Sequence, residues 1–129
     1  MIIDTDVLIW SMRGYKKAAD AITDNSPFAI TWITYMELIK GARDRVEQKA
    51  IVSEITRLGI QILHSSAEQS ALAITILRDN YFESLLSIAD AINAAIAIST
   101  GNELLSANKK CYGSISGLKY VEYQPWISE

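Results

Sequence analysis

The sequence predicts an α/β fold in which helices cover both faces of a central, mainly parallel sheet of about five strands. Short apolar runs alternate with helical patterns along the whole chain, and these runs lack the polar alternation of a half-exposed strand. No repeat, linker or low-complexity tract divides the sequence. At 129 residues, 50% of them hydrophobic, the chain is predicted to fold as one three-layer α/β/α domain over residues 1–129.

The predicted strands are short apolar segments that end at turn or helix-start residues. They cover residues 1–4, 28–31, 60–64, 103–107 and 118–123. Strands that are apolar on both faces are typical of a parallel sheet, because helices then bury each side.

Helical periodicity fills the segments between these strands. The predicted helices cover residues 5–14, 15–24, 34–41, 45–58, 65–81 and 87–100. Gly59 and Gly101 mark two of the helix ends. Three starts match the capping pattern Ser/Thr-x-x-acid, namely Thr34 with Glu37, Ser65 with Glu68, and Ser87 with Asp90.

Composition and charge narrow the functional classes. The net charge of −3 argues against a general attraction to nucleic acid, although a local basic patch or a bound cation would still permit binding. The single cysteine, Cys111, excludes an internal disulfide, and no secretory leader or membrane-spanning apolar stretch is seen. The sequence therefore predicts a soluble cytoplasmic protein without membrane contact. Without a P-loop or GxGxxG motif, it also predicts no organic cofactor.

Polar side chains occur where a parallel sheet would bring them to one edge. Asp4 and Asp6 follow the first strand, Asn108 follows the fourth, and Glu37 and Asp90 lie near predicted helix starts. Ligands of open α/β sheets bind outside the carboxyl ends of the strands. Clustered carboxylates are costly because like charges raise one another's pKa, and a divalent cation removes that cost. Such a cluster indicates Mg²⁺ or a similar ion acting on a phosphate group.

Helix capping is the alternative explanation of the same acids. Glu37 and Asp90 each match the capping pattern, and Asp4 or Asp6 could cap the first helix in the same way. An acid in a first turn can also cap a helix and still offer an oxygen to a metal. Spacing along the chain leaves both explanations open, because it does not show whether the segments converge.

Other chemically active residues give weaker signals. Lys109 and Lys110 directly follow Asn108, and Arg13 lies near the end of the first helix; each is a candidate phosphate contact or simply part of a solvated helix face. The only histidine, His64, has no second ligand nearby in sequence, and Cys111 has no activating partner. Neither residue indicates a metal or nucleophile site.

Four segments taken together resemble PIN-domain ribonucleases, in particular the VapC-type toxins of toxin–antitoxin pairs. Residues 2–10 (IIDTDVLIW) are similar to the family's opening strand and Asp-Thr-Asn/Asp motif, and residues 33–42 (ITYMELIKGA) to its Glu-bearing helix. Residues 87–98 (SIADAINAAIAI) are similar to its Asp-x-x-Ile-Ala-Ala helix. Residues 104–123 (LLSANKKCYGSISGLKYVEY) are similar to its closing strand and turn.

The resemblance implies a PIN domain that hydrolyses RNA endonucleolytically with Mg²⁺ or Mn²⁺. It implies that Asp4, Glu37 and Asp90 bind the metal. Asn108 stands where many members have a fourth Asp, and Ser106 matches the hydroxyl residue two positions earlier. Because Asn108 carries no charge, one firmly held metal is expected.

Two further residues are expected to support these ligands without binding the metal. Asp6 stands where many relatives have Asn and is expected to orient Asp4. Asn93 follows Asp90 by three residues on the same helix face and is neutral where some members carry an acid.

The resemblance also implies partners. VapC-like proteins are typically homodimers that a VapB-type antitoxin inhibits, and both associations are expected here. The predicted antitoxin contact lies on the first helices, near Trp10, Met12, Tyr35 and Met36.

Two rival functions remain at this stage. Haloacid-dehalogenase-type phosphatases also begin with an apolar strand followed by Asp-x-Asp, but the chain lacks their later paired-acid segment. The second rival is a non-catalytic PIN domain that binds RNA or a protein, because Asn93 and Asn108 are neutral.

Overall fold

The computed structural model describes residues 1–124, and a parallel sheet of five strands forms the centre of this part of the chain. The strands are β1 (Ile2–Ile3), β2 (Ala29–Thr31), β3 (Gln61–Leu63), β4 (Glu103–Ser106) and β5 (Lys119–Glu122). Their order across the sheet is β3-β2-β1-β4-β5, and every neighbouring pair is parallel. All five predicted strands form, each one or two residues shorter than predicted.

Helices occupy the connections between the strands. They are α1 (Thr5–Met12), α2 (Lys16–Asp24), α3 (Trp32–Lys40), α4 (Arg45–Arg57), α5 (Ala67–Ser84), α6 (Ile88–Thr100) and α7 (Lys109–Tyr112). The six predicted helices are confirmed, and α7 is an additional short helix. Gly59 and Gly101 follow the ends of α4 and α6 with φ of +64° and +68°, a conformation that glycine adopts without strain. No helix within residues 1–124 is long and apolar enough to cross a membrane.

Two hydrophobic cores lie on opposite faces of the sheet. Ile2 and Leu104 pack against α5, α6 and α7, whereas Ile3 and Leu105 pack against α1 to α4. Neighbouring residues of a strand point to opposite faces, so each pair of consecutive apolar residues serves both cores. This confirms the predicted three-layer α/β/α arrangement.

Two helix starts differ from the prediction. Helix α3 begins at Trp32, directly after β2, and Thr31 caps it by accepting from the Thr34 backbone N–H. The predicted Thr34–Glu37 capping box is therefore wrong, because the end of β2 sets the cap three residues earlier. Helix α5 begins at Ala67, one residue after its capping residue Ser66, which pairs with Gln69. The predicted pair of Ser65 and Glu68 is wrong by one residue, and α5 continues to Ser84.

The strand order places a topological switch point between β1 and β4. The chain proceeds from β1 to β2 and β3 on one side, then returns across the sheet to form β4 and β5 on the other. Crevices outside the carboxyl ends of strands at such a point are where open α/β sheets bind ligands.

Candidate metal centre

Asp4 lies at the switch point because of the register between β1 and β4. Ile3 pairs with Leu105, so the next residues, Asp4 and Ser106, come side by side where the two strands end. The Asp4 backbone N–H donates to the Leu105 carbonyl at 3.0 Å, which continues the sheet pairing into the site. Asp4 is also the N-cap of α1, and its Oδ1 accepts from the Thr5 backbone N–H at 2.8 Å. Asp4 therefore caps α1, which is one of the two explanations that the sequence left open.

Neutral donors hold the Asp4 carboxylate in place. Asn93 Nδ2 donates to Asp4 Oδ1 at 3.0 Å, and Ser106 Oγ donates to Asp4 Oδ2 at 2.9 Å. Asp4 is only 6% exposed, and Asn93 and Ser106 are fully buried. A buried carboxylate needs this satisfaction, since an unpaired one is strongly unfavourable.

Ser106 lies between two carboxylates. Its Oγ is 2.9 Å from Asp4 Oδ2 and 3.2 Å from Asp6 Oδ2, although a hydroxyl has only one proton to donate. Asp6 also accepts from the backbone N–H groups of Val7 and Ala107 at 2.7 and 3.0 Å. Asp6 thus ties the start of α1 to the end of β4 and shares one donor with Asp4.

Asp90 combines a helix cap with a side-chain contact to α7. Its Oδ2 accepts from the Ser87 backbone N–H at 2.9 Å, and Ser87 Oγ accepts from the Asp90 N–H at 3.0 Å, so the predicted capping box is confirmed. The other oxygen, Oδ1, accepts from the hydroxyl of Tyr112 at 3.0 Å. Capping therefore uses one oxygen of Asp90 and Tyr112 contacts the other, while the charge of Asp90 acts on the Asp4 carboxylate.

Glu37 reaches the site through a chain of hydroxyls. Thr5 Oγ1 donates to Glu37 Oε1 at 2.7 Å and lies 3.2 Å from Thr34 Oγ1. Asn93 Nδ2 in turn lies 3.5 Å from Thr34 Oγ1, and Asn93 Oδ1 accepts a short hydrogen bond from Thr31. Glu37 is exposed, whereas Asp4 is buried. The acids therefore extend from the interior to the surface.

The charges around Asp4 leave its carboxylate uncompensated. The pKa of Asp4 is raised from 3.8 to about 7, mainly by burial and then by the neighbouring charge of Asp6. The hydrogen bonds from Thr5 and Ser106 lower this pKa, and the charge of Asp90 makes a smaller contribution that raises it. Burial also raises the pKa of Asp6, with Asp90 contributing in the same direction. No cationic side chain is among the groups that shift the pKa of Asp4. The site thus has an excess of negative charge at neutral pH.

The donor set fits a hard divalent cation in chemistry and charge. Carboxylate oxygens are the ligands that Mg²⁺ prefers, and its charge would offset the repulsion that raises the pKa of Asp4. Within residues 1–124, however, no three acidic, histidine or cysteine side chains are grouped so that they alone could hold a metal ion. An ion here would take one or two carboxylates and complete its shell with water or substrate phosphate, as Mg²⁺ commonly does.

The remaining predicted residues occupy different positions. Asn108 joins the cluster through its backbone N–H, which donates to Ser106 Oγ at 3.0 Å. Lys109 is exposed and its Nζ lies 3.8 Å from Glu122, and Lys110 is exposed on the same short helix. Arg13 follows the last residue of α1, roughly 12 Å along the helix axis from the start that carries Asp4. The structure thus does not bring Arg13 to the acids.

Sequence reasoning missed two residues that contact the acids, Thr5 and Tyr112, and a third, Thr34, that links Thr5 to Asn93. Thr5 and Thr34 carry the hydroxyls that lead to Glu37, and Tyr112 donates to Asp90. Thr5 had a local signal, because it stands between two aspartates at a helix start. No local pattern indicated the contact of Tyr112, since it joins the end of α7 to the first turn of α6.

Solved structures of similar fold include a toxin–antitoxin complex and VapBC complexes. A toxin–antitoxin complex from Klebsiella pneumoniae is 25% identical, with 97% of each chain covered and a TM-score of 0.78. VapBC-1 from nontypeable Haemophilus influenzae is 22% identical, with 94% of this chain and 96% of that chain covered and a TM-score of 0.76. DNA-bound VapBC from Salmonella typhimurium is 19% identical, with the same coverage and a TM-score of 0.77.

A family model described as the PIN domain matches residues 1–113, whereas comparison with curated proteins gives no match. The match decides against the haloacid-dehalogenase-type alternative. It begins before β1 and ends one residue after α7, so it contains every acid and every hydrogen-bond donor of the site. By this match and by its three-layer parallel fold, the chain belongs to the PIN-domain family.

Proposed function

We propose that this chain is a metal-dependent endoribonuclease that uses Mg²⁺ or Mn²⁺ and acts as the toxin of a type II toxin–antitoxin pair. The observation that carries the proposal is the buried carboxylate of Asp4, whose pKa is raised first by burial and then by the charges of Asp6 and Asp90, with no cationic side chain among the groups that shift it. Membership of a family whose nucleases generally use divalent metals supports the same conclusion. The toxin role is supported by the toxin–antitoxin complexes among the structural neighbours.

Each acid has a distinct proposed role. Asp4 and Asp90 would hold the ion directly, and Glu37, the most exposed acid, would complete the coordination or position water. Ser106 and Asn108 would hold water or a phosphate oxygen beside them. When bound, the ion supplies positive charge to the phosphodiester and lowers the pKa of a water molecule.

The neutral side chains preorganise these acids. Asn93 and Ser106 fix both oxygens of Asp4, which leaves the carboxylate little rotational freedom. Thr5 holds the otherwise mobile side chain of Glu37 against the start of α1. Asp6 takes part through Ser106, whose Oγ lies 3.2 Å from Asp6 Oδ2. Ligands fixed before the ion arrives lose less conformational entropy on binding it.

RNA is the proposed substrate. The bound ion would reduce the electrostatic repulsion between this acidic protein and the RNA phosphates. The net charge of −3 repels a polyanion at long range, so local attraction must come from the ion and from nearby lysines. Lys109 and Lys110 are the proposed backbone contacts, because α7 starts directly beside Ser106. Arg13 is a more distant candidate.

A VapB-type antitoxin is the proposed protein partner. Residues of α1, α2 and α4 line an open pocket of about 510 Å³, whose mainly apolar lining includes Leu8, Met12 and Leu58. Met12 and Met36 are more than half exposed, which suits a contact surface for an apolar peptide segment. Near the end of α1, Trp10 packs edge-on against Tyr15, with ring centroids 4.5 Å apart. We place the protein in the cytoplasm and expect it to form a homodimer.

An RNA cleavage assay on the purified chain tests the proposed function. With Mn²⁺ the wild-type chain should cleave single-stranded RNA, EDTA should stop cleavage, and Asp90→Asn should lower the rate by more than about 100-fold. Asp79→Asn is the matched control, because Asp79 is an exposed aspartate on α5. Its ion pair within the described residues is with Arg78, which is also exposed. RNA binding without cleavage at saturating Mn²⁺ would contradict the proposal and favour the non-catalytic alternative.

A further inference from the structure

The segment from Ser106 to Tyr112 supplies a neutral donor to each side of the acid cluster. Ser106, the last residue of β4, donates to Asp4, and Tyr112, the last residue of α7, donates to Asp90. These two acids come from distant parts of the chain, the end of β1 and the first turn of α6. One short segment therefore reaches both carboxylates that the proposed function assigns to the ion.

Tyr112 is more than a core aromatic residue. It is fully buried, although a phenol carries a hydroxyl that would have to lose its hydration. Its hydroxyl is 3.0 Å from Asp90 Oδ1, and an ionised carboxylate can only accept, so the phenol donates this hydrogen bond. A phenylalanine at this position would fill nearly the same volume without touching the carboxylate. The hydroxyl therefore contributes something that hydrophobic packing alone does not need.

The position of the phenol explains what that contribution is. The Ser87 N–H fixes Asp90 Oδ2, and the Tyr112 hydroxyl fixes Oδ1, so the plane of the carboxylate is determined. The tyrosine ring is itself held, because it stacks on Tyr120 with ring centroids 6.0 Å apart and an interplanar angle of 28°. Both charges that act most on the phenol, those of Asp4 and Asp90, belong to the acids on either side of the crevice.

We propose that Tyr112 is a positioning residue that orients the Asp90 carboxylate toward Asp4 for a shared divalent cation. This role rests on the proposed function, since it assumes that an ion binds between these acids. Donors that hold a metal ligand typically change metal affinity or activity by about 10- to 100-fold when removed. Tyr112→Phe removes the hydroxyl and keeps the ring, so the expected effect is a Mn²⁺ dissociation constant about tenfold higher.

Tyr120→Phe is a matched control. Tyr120 belongs to the same stacked pair and also donates one hydrogen bond, at 2.7 Å, to the Ser106 carbonyl. That carbonyl also accepts from the Tyr123 backbone N–H at 2.8 Å, so it stays held in the variant. Both variants lose one hydroxyl contact, but only Tyr112→Phe loses a contact to an acid of the site.

The experiment is a double-mutant cycle with Mn²⁺ binding measured by calorimetry. Far-ultraviolet circular dichroism checks that each variant is folded. Tyr112→Phe should weaken Mn²⁺ binding about tenfold, Tyr120→Phe less than twofold, and Tyr112→Phe should have no further effect in an Asp90→Asn background. Wild-type affinity in Tyr112→Phe, or the same loss in both tyrosine variants, would overturn the positioning role while leaving the proposed function intact. A wild-type chain that binds no Mn²⁺ and cleaves no RNA would overturn the proposed function and this role with it.

Discussion

Because the carboxylate of Asp4 is buried, we expect its contribution to the free energy of unfolding of the metal-free protein to fall as the pH rises. In the unfolded chain this carboxyl titrates near 3.8, and in the folded chain burial and the charge of Asp6 raise its pKa to about 7. The folded state therefore binds the proton more tightly than the unfolded state. The stability that the protonated Asp4 carboxyl contributes is fully present below about pH 4 and is lost progressively as the pH rises to 7.

The size of this loss follows from the shift. A rise from 3.8 to about 7, at about 1.4 kcal/mol for each pH unit, lowers the free energy of unfolding by about 4 kcal/mol at pH 8. Domains of this size are typically stable by only about 5–15 kcal/mol. The free-energy cost of leaving Asp4 unprotonated is therefore a large fraction of the total free energy of unfolding. A divalent cation that offsets the charge of Asp4 should restore much of this lost stability.

Asp4→Asn removes the charge while the hydrogen-bond network can be kept. An asparagine Oδ1 can still accept from the Thr5 N–H and from Asn93 Nδ2. Its amide can donate to Ser106 Oγ, which then donates its own proton to Asp6 Oδ2. In EDTA, the variant should be more stable than the wild type at pH 8, and this advantage should grow by about 3 kcal/mol between pH 5 and pH 8.

Urea denaturation in EDTA at several pH values measures this difference directly, because the titration of other groups cancels between wild type and variant. Asp79→Asn, at an exposed position, should change the free energy of unfolding by less than about 0.5 kcal/mol at every pH. The reasoning would be refuted if Asp4→Asn were no more stable than the wild type at pH 8, or if its advantage did not change with pH.

Three further predictions concern the same site. Mn²⁺ at about 100 times its dissociation constant should raise the free energy of unfolding of the wild type by about 2.7 kcal/mol, and thermal unfolding of Asp90→Asn should show little of this gain. Asn93→Leu should destabilise the fold by about 2–4 kcal/mol in urea, because Asp4 and the Thr31 and Thr34 hydroxyls would lose a buried partner; a smaller change than about 1 kcal/mol would contradict this. Glu37→Gln should leave stability within about 0.5 kcal/mol, because Glu37 is exposed, and should lower the initial rate of RNA cleavage at least about tenfold; an unchanged rate would remove Glu37 from the site.

Apolar runs and local caps made most of the fold predictable. The strands are buried on both faces, so their apolar residues are continuous and their positions could be read within two residues. The Ser87–Asp90 cap was predictable because both partners of a capping box are three residues apart. The same rule failed at Thr34, because α3 starts directly after β2 and is capped by Thr31, which has no acid three residues later. It failed at Ser65, because the next residue, Ser66, forms the capping box with Gln69.

The proximity of Asp4 and Ser106 was predictable from the sequence, whereas the hydrogen bonds that link the other candidate site residues were not. Asp4 and Ser106 follow adjacent parallel strands, so their proximity follows from the strand order once the fold is known. The links from Thr5 to Glu37 and from Tyr112 to Asp90 join segments that lie far apart in sequence, and no local pattern encodes them. Helix α7 is too short for hydrophobic periodicity to reveal, although it carries Tyr112.

The most direct test of the central claim is a crystal structure of the protein soaked in Mn²⁺, with anomalous diffraction used to locate the ion. We expect one anomalous peak between the carboxylates of Asp4 and Asp90, at the switch point between β1 and β4. A structure in which Mn²⁺ binds elsewhere, or in which these two carboxylates have no ion between them at saturating Mn²⁺, would contradict it.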